Sequence, residues 1–360
     1  GVAVSLSGLA SAVANQGGIG VISAAAIGMT EPGYMKRFHE ANKRALRREI
    51  QKARKLTNGV LGVNIMMALT DHEELIKVAI EEKIDVIFVG AGLPLKIPKI
   101  LAEAGLGGHQ TKIIPKVSSA KAATLIFKYW AAKYNFVPDA VVVEGPMAGG
   151  HLGFKAEQLQ NNMMPLEFIV KETVRAIRPF EVSFKKSIPV IAGGGVHSGR
   201  DMYNIMQAGA SAVKIGTRFV TTHECDASLQ YKKSYLAASK QDVIIIKSPV
   251  GLPGRVIKNN FVEQINRGET KPFNCPWKCL SSCNYKTAPY CIAKALYNSA
   301  SGNMEEGFAF AGSNAWMANE INHVSDVFDD LISGYQQELR HQNFISSRKK
   351  KLTLKHKVPA

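Results

Sequence analysis

The chain has 360 residues, 46% hydrophobic and 21% charged, which is ample material for one large core with an appendage. No apolar run reaches the roughly 18–20 residues of a membrane span, and no secretory pattern is visible. Five cysteines are too few for a secreted disulfide scaffold, so a reducing cytoplasm is the expected setting. Part of the formal charge of +16 sits in a closing run of Arg348, Lys349, Lys350, Lys351, Lys355 and Lys357, a pattern typical of solvated tails. Without aromatic–basic interleaving, a zinc-finger or an RNP pattern, nucleic acid is not an expected partner.

In chain order, a helix-like segment VSLSGLASAVANQ precedes a first apolar strand between Gly18 and Ala24. An amphipathic helix is expected from Pro32 to Leu56, with Pro32 in its first turn. Then come a strand at Val60–Met66, a helix starting near Asp71 with that carboxylate as its cap, and a strand at Asp85–Gly90. A helix over Lys96–Ala104, a strand at Lys112–Val117, a helix over Ser119–Ala132 and a strand at Asp139–Gly145 continue the rhythm. Strands at Ile188–Gly195 and Ser211–Gly216 flank a helix over Arg200–Ala208. These seven strands are short, rich in Val and Ile and apolar on both faces, as in a parallel sheet buried between layers. The alternation predicts an α/β fold, a TIM (β/α)8 barrel whose first strand is absent at the N-terminal end.

The expected organisation is a barrel over 1–245, a mostly helical cysteine-containing lobe over the barrel mouth at 246–340, and a basic tail at 341–360. Ala293–Ile321 reads as helix, turn, helix, and VSDVFDDLISGYQQELRHQ as an amphipathic helix packing on the barrel or on a partner subunit.

Barrel sites lie at the C-terminal strand ends, and phosphate is commonly held by the loops after the last two strands. Here those strands end in AGGGVHSGR (Ala192–Arg200) and IGTRF (Ile215–Phe219). Glycines let backbone N–H groups approach a phosphate, the following helix N-terminus favours its charge, and Arg218 adds a charge-assisted contact. Asn64, Gly90, Lys116, Glu144 and His151 stand at or just beyond the ends of other strands and would converge on the same mouth.

Six motifs in order, ASAVANQGGIGVI, GVNIM, VGAGLP, EGPMAGGHLG, PVIAGGGVHSGRD and VKIGTRFVTTHE, resemble the nitronate monooxygenase family, formerly called 2-nitropropane dioxygenases. That family also contains flavin-dependent enoyl-acyl-carrier-protein reductases, and the resemblance covers about residues 1–265. It implies FMN on a TIM barrel, with Asn64 at the flavin ring region and Lys116 near its pyrimidine end. Gly150, Gly193, Gly194, Gly195, Gly216 and Thr217 would surround the ribityl phosphate. Gly90, Glu144 and Gly149 join this cofactor set, as do Gly312 and Ser313 from a segment that returns to the mouth. A family segment like PIIQGGM, which also touches FMN, is absent here.

His151 matches the family's active-site histidine. An imidazole there would donate to a nitro or carbonyl oxygen or take a proton, its ordinary pKa being near neutral. The first implied reaction converts an alkyl nitronate, with electrons passed to FMN and then oxygen chemistry, to a carbonyl compound and nitrite. The alternative is an NAD(P)H-dependent reduction of an enoyl thioester, in which a basic surface suits an acidic acyl carrier protein. A homodimer is also expected.

The chain departs from the family after the barrel. Cys275, Cys279, Cys283 and Cys291 follow a C-x3-C-x3-C-x7-C spacing, four of the five cysteines within 17 residues. They read as ligands of a [4Fe-4S] cluster, as a zinc site, or as small apolar thiols packing a lobe; a cluster would make the protein a flavin/iron–sulfur redox enzyme. Cys225 stands alone and reads as core.

Overall fold

The computed structural model of the chain describes residues 1–160 and 163–355, with side-chain surroundings as far as 345. Seven parallel strands form one curled sheet: β1 (Gly20–Ser23), β2 (Leu61–Met66), β3 (Val86–Gly90), β4 (Lys112–Val117), β5 (Val141–Glu144), β7 (Val190–Gly193) and β8 (Ala212–Lys214), hydrogen-bonded in that order. Two-residue β6 (Gly150–His151) belongs to a second sheet with β9 (Val243–Lys247) and β10 (Pro253–Ile257).

The helices are α1 (Ser7–Asn15), α2 (Phe38–Leu56), α3 (His72–Glu81), α4 (Ile97–Glu103), α5 (Ala120–Tyr134), α6 (Ala156–Gln160), α7 (Leu166–Phe184), α8 (Gly199–Gln207), α9 (Thr217–Val220), α10 (Leu229–Ala237), α11 (Asn260–Asn266), α12 (Ile292–Ala300) and α13 (Val324–Lys355). All seven expected strands are present, and the sheet is the (β/α)-barrel sheet anticipated. No strand among the described residues bridges β8 to β1, so the barrel is open there.

Strand composition explains the layering. Val63, Ile65, Ile87, Val89, Ile113, Val141 and Val143 are all nearly inaccessible and share one core with helix residues such as Leu46, Ile76, Ile126 and Trp130. Their alternate neighbours Val86, Phe88, Ile114, Val142 and Ile191 form a separate cluster inside the barrel. Burial on both faces is why these strands show no polar alternation.

Several local expectations change. Helix α2 starts at Phe38, not Pro32. Gly33 takes a left-handed conformation at φ +70°, and the stretch before Phe38 folds as two short 3₁₀ turns. Asp71 is the residue before α3, yet its carboxylate makes no capping bond. It accepts from Asn42 Nδ2 at 2.7 Å and lies 3.2 Å from His39 Nδ1, because it is buried against α2 instead of facing the helix end.

The region after the barrel opens with the β9–β10 hairpin as well as helices. The Ala293–Ile321 stretch contains α12 but no second α-helix, only 3₁₀ turns at Met304–Glu306 and Ala315–Met317. Its segment 309–311 instead lies along β10, with Ile257 N–H donating to Ala309 O and Ala311 N–H to Arg255 O. Helix α13 continues past the amphipathic stretch to Lys355, and the side chains of the basic run lie outside the described residues. Gly199 lets α13 cross the start of α8, for a Cβ there would come within 2.5 Å of Gly334 C. Among the described residues no helix is long and apolar enough to cross a membrane.

Candidate active site at the barrel mouth

Parallel pairing puts every C-terminal strand end on one side, and the glycine-rich loops meet there. The loop after β5 carries Gly149 and Gly150. Gly149 packs against the 311–312 backbone so closely that a Cβ would lie 2.5 Å from Ala311 C. The loop after β7 holds Gly194 at φ +108° and Gly195 at φ +94°, conformations that side chains resist. Gly216, at the head of α9, faces open space.

The returning C-terminal segment stitches these loops together. Gly312 N–H donates to Thr217 Oγ1 at 3.0 Å, Asn314 Nδ2 to Gly195 O at 2.8 Å, and Ser313 N–H to Met147 O at 3.1 Å. Segments far apart in sequence thus meet around Gly150, Gly195 and Gly216.

Gly90 and Gly193 stand in tighter places. A Cβ at Gly90 would meet Lys116 Cε at 2.5 Å, and one at Gly193 would meet Lys214 O at 2.8 Å. Their absent side chains make room for two lysines, which flank Glu144 in the barrel interior. Glu144 accepts from Lys214 Nζ at 2.5 Å and lies 4.0 Å from Lys116 Nζ. Burial opposes ionisation of Glu144, but the two ammonium groups outweigh it and hold its pKa at about 2. Burial pulls Lys116 down to about 8, with Glu144 restraining the fall and Lys214 adding to it. Two lysines thus flank a single carboxylate. Asn64 lies in register with Ser23 and Phe88 on β2, half-buried on the way to the same mouth.

His151 sits on β6, paired across from Gly254 of β10. Its Nε2 lies 2.7 Å from Ser248 Oγ, and its ring meets Phe310 edge-on at 4.9 Å between centroids. Burial lowers its pKa to about 4, so it is neutral at pH 7 rather than poised near neutrality. Arg255, buried on β10, donates to Pro146 O at 2.7 Å and also to Ala148 O, bracing the loop that presents His151. Ser248, Arg255 and Phe310 escape a motif reading because each lies about a hundred residues or more from its partner. The only trace of Ser248 and Arg255 is the hairpin pattern VIIIKSPVGLPGRVI.

Two expected anion contacts are already engaged. Helix α8 is closed by a capping box, in which Asp201 Oδ2 accepts from the N–H groups of His197 and Ser198, so its N-terminus already faces a carboxylate. Arg218 Nη1 donates to His197 O at 3.0 Å and pairs with Asp330 of α13 at 2.5 Å. The arginine ties the terminal helix to the loop.

The family model for nitronate monooxygenase matches residues 1–334. The chain belongs to the nitronate monooxygenase family. This is a family of FMN-dependent oxidoreductases that act on small molecules. A probable nitronate monooxygenase of Staphylococcus aureus (strain Newman) is 27% identical over 349 residues, 89% of this chain and 91% of that protein. A 5-hydroxy-7a-methyl-1-oxo-octahydro-1H-indene-4-carboxyl-CoA dehydrogenase of Rhodococcus jostii is 28% identical over 257 residues. That match spans 71% of this chain but only 60% of the dehydrogenase, and its Mycobacterium tuberculosis counterpart is likewise covered over 62% of its length.

Among solved structures of similar fold, FabK from Thermotoga maritima is 28% identical with a TM-score of 0.71, covering 95% of this chain and 92% of that one. A nitroalkane oxidase from Streptomyces ansochromogenes shares the fold at a TM-score of 0.69 and 20% identity, covering 94% of each chain. The four lobe cysteines are free thiols, and no group of three or more His, Cys, Asp or Glu among the described residues is arranged to hold a metal ion.

Proposed function

We propose that this chain is an FMN-dependent oxidoreductase that oxidises alkyl nitronates, small anions with charge shared between carbon and oxygen. The residues present fit the flavin. Gly194, Gly195, Gly216 and Thr217 would hold its phosphate end, since Gly216 faces open space and the nearest atom to a Cβ at Gly150 would be a Phe310 ring carbon at 4.0 Å. Lys116 and Asn64 would face its ring, and the excess of lysine over carboxylate at Lys116, Glu144 and Lys214 complements an anionic ligand. When bound, FMN supplies the electron acceptor.

The observation that carries the nitronate reading is the neutral His151. A histidine with a pKa of about 4 donates an N–H to a substrate oxygen without surrendering its proton. A nitronate must keep its carbanion character to be oxidised, and an imidazolium beside it would reprotonate carbon. Ser248 occupies Nε2 and leaves Nδ1 for the substrate. Phe310 packs on the ring and keeps water from its face.

A second reading draws on the whole-length similarity to FabK, the enoyl-acyl-carrier-protein reductase. NAD(P)H would donate a hydride, and an enoyl thioester, free or on an acyl carrier protein, would accept it. That chemistry also needs a proton for the α-carbon, for which His151 is a reluctant source. Aerobic turnover separates the two. Propyl-2-nitronate should yield nitrite with no nicotinamide added. NADPH consumption that depends on crotonyl thioester, with no nitrite from the nitronate, would overturn the first reading in favour of the second.

A further inference from the structure

The flavin reading leaves the cysteine lobe unexplained. Between α11 and α12 the chain runs from 267 to 291 without a helix or a ladder strand, a length that compact proteins seldom leave unstapled. The segment is nevertheless well anchored. Trp277 stacks on Phe38 at 4.9 Å and donates from Nε1 to Met35 O at 2.8 Å. Leu280 bridges to Leu69, Thr70 N–H donates to Cys279 O at 3.1 Å, and Ser281 N–H to Ala68 O at 2.9 Å. These contacts dock the lobe on the loop that leaves β2, just beyond Asn64.

Inside this lobe the four thiols turn toward one another. Cys275, Cys279, Cys283 and Cys291 all line a single void of about 20 Å³, walled otherwise mainly by Leu280, Ile292 and Phe273. None of the four is in a disulfide.

The void has room for about one water, but its apolar walls offer few of the polar partners that a buried water needs. A zinc ion is a poor occupant too, because it draws four sulfurs to about 2.3 Å from one point, and the thiols do not converge on a single-ion geometry. An iron–sulfur cluster differs in this respect. It places iron and inorganic sulfide between the four cysteines, so its ligands surround a space instead of a point, and loading it would widen a void that otherwise holds about one water. We propose that Cys275, Cys279, Cys283 and Cys291 bind an iron–sulfur cluster through four thiolates, beside the β2 end of the barrel mouth. This site stands on the lobe alone and does not depend on the flavin chemistry.

The test is anaerobic purification of the full chain, with iron, acid-labile sulfide, zinc and flavin measured on the same sample. Iron and sulfide in equal amounts, at two or more of each per chain, with visible absorption beyond the flavin bands, are expected. The double variant Cys279→Ser/Cys291→Ser should lose iron at least tenfold while retaining flavin, and Cys225→Ser should keep both. Should the double variant fail to fold, mass-spectrometric alkylation of the wild-type chain decides: the four lobe thiols should be shielded until iron is chelated. Zinc at one per chain, or metal-free protein with all four thiols alkylated at once, overturns the proposal. Flavin content reports separately on the flavin reading.

Discussion

The barrel mouth and the cysteine lobe are built on opposite plans. The mouth gathers residues from four distant segments, and its polar groups are held by named partners: His151 by Ser248, Glu144 by two lysines, and the Pro146 and Ala148 carbonyls by Arg255. The lobe draws its four sulfurs from a single short stretch, and its interior is a void that no protein group fills. The first site is preorganised by the fold, which is what positioning a small substrate requires. On the proposal above, the second would be completed by the iron–sulfur cluster that its four thiols bind.

Substitutions at the two regions should therefore fail differently. The largest effect is expected from Gly149→Val, which forces side-chain atoms into the 311–312 backbone. Overpacking of this kind costs about 3 kcal/mol. Thermal unfolding should show that loss together with release of flavin, since the same contact joins two of the segments proposed to hold it. A folded, flavin-replete variant would show that the returning segment is not part of the site.

His151→Asn should come next, lowering kcat/KM for a nitronate on the order of a hundredfold with little change in flavin content. The wild-type pH profile sharpens this. Because burial depresses the histidine pKa to about 4, activity should stay flat from neutral pH down to about 5 and fall as pH approaches 4. Stability follows the same sign. The unfolded chain binds this proton near pH 6.5 and the folded chain does not. The contribution is therefore present above about 6.5 and is lost as pH falls toward 4. An activity step at pH 6.5 assigned to this residue would contradict its burial.

Trp277→Ala should cost about 2 kcal/mol by removing the stack on Phe38. Limited proteolysis should then cut within 270–290 while flavin stays bound. Simultaneous loss of flavin would mean that the lobe also supports the mouth. Ser248→Ala removes one hydrogen bond, worth about 1 kcal/mol. Turnover should fall by roughly tenfold or less, without loss of flavin or a change in unfolding larger than that.

The sheet was legible because strands buried on both faces leave an unbroken Val/Ile pattern. The candidate residues of the mouth stood out because strand after strand ends in glycine or a lone polar group. Three features were harder to read. The β9–β10 hairpin reads as an ordinary apolar stretch until its pairing with Gly150–His151 shows what it carries. Helix α7 contains Pro179, a residue that usually marks a helix end. The neutrality of His151 arises from burial by Phe310 and its neighbours, a tertiary effect that no local motif records. Gly90 and Gly193 are a further lesson. Their glycines stand at strand ends as a cofactor reading expects, yet each clears space for a lysine. Residue type signalled a tight place, and only the packing showed what occupies it.

The central claim is that a neutral His151 beside FMN serves an anionic substrate that brings its own electrons. The most direct measurement is the anaerobic visible spectrum of the purified chain during titration with propyl-2-nitronate and, separately, with NADPH. Flavin bands that bleach with the nitronate and persist with NADPH are the predicted result. Bands that bleach with NADPH and ignore the nitronate, or a chain that carries no flavin, would contradict the account.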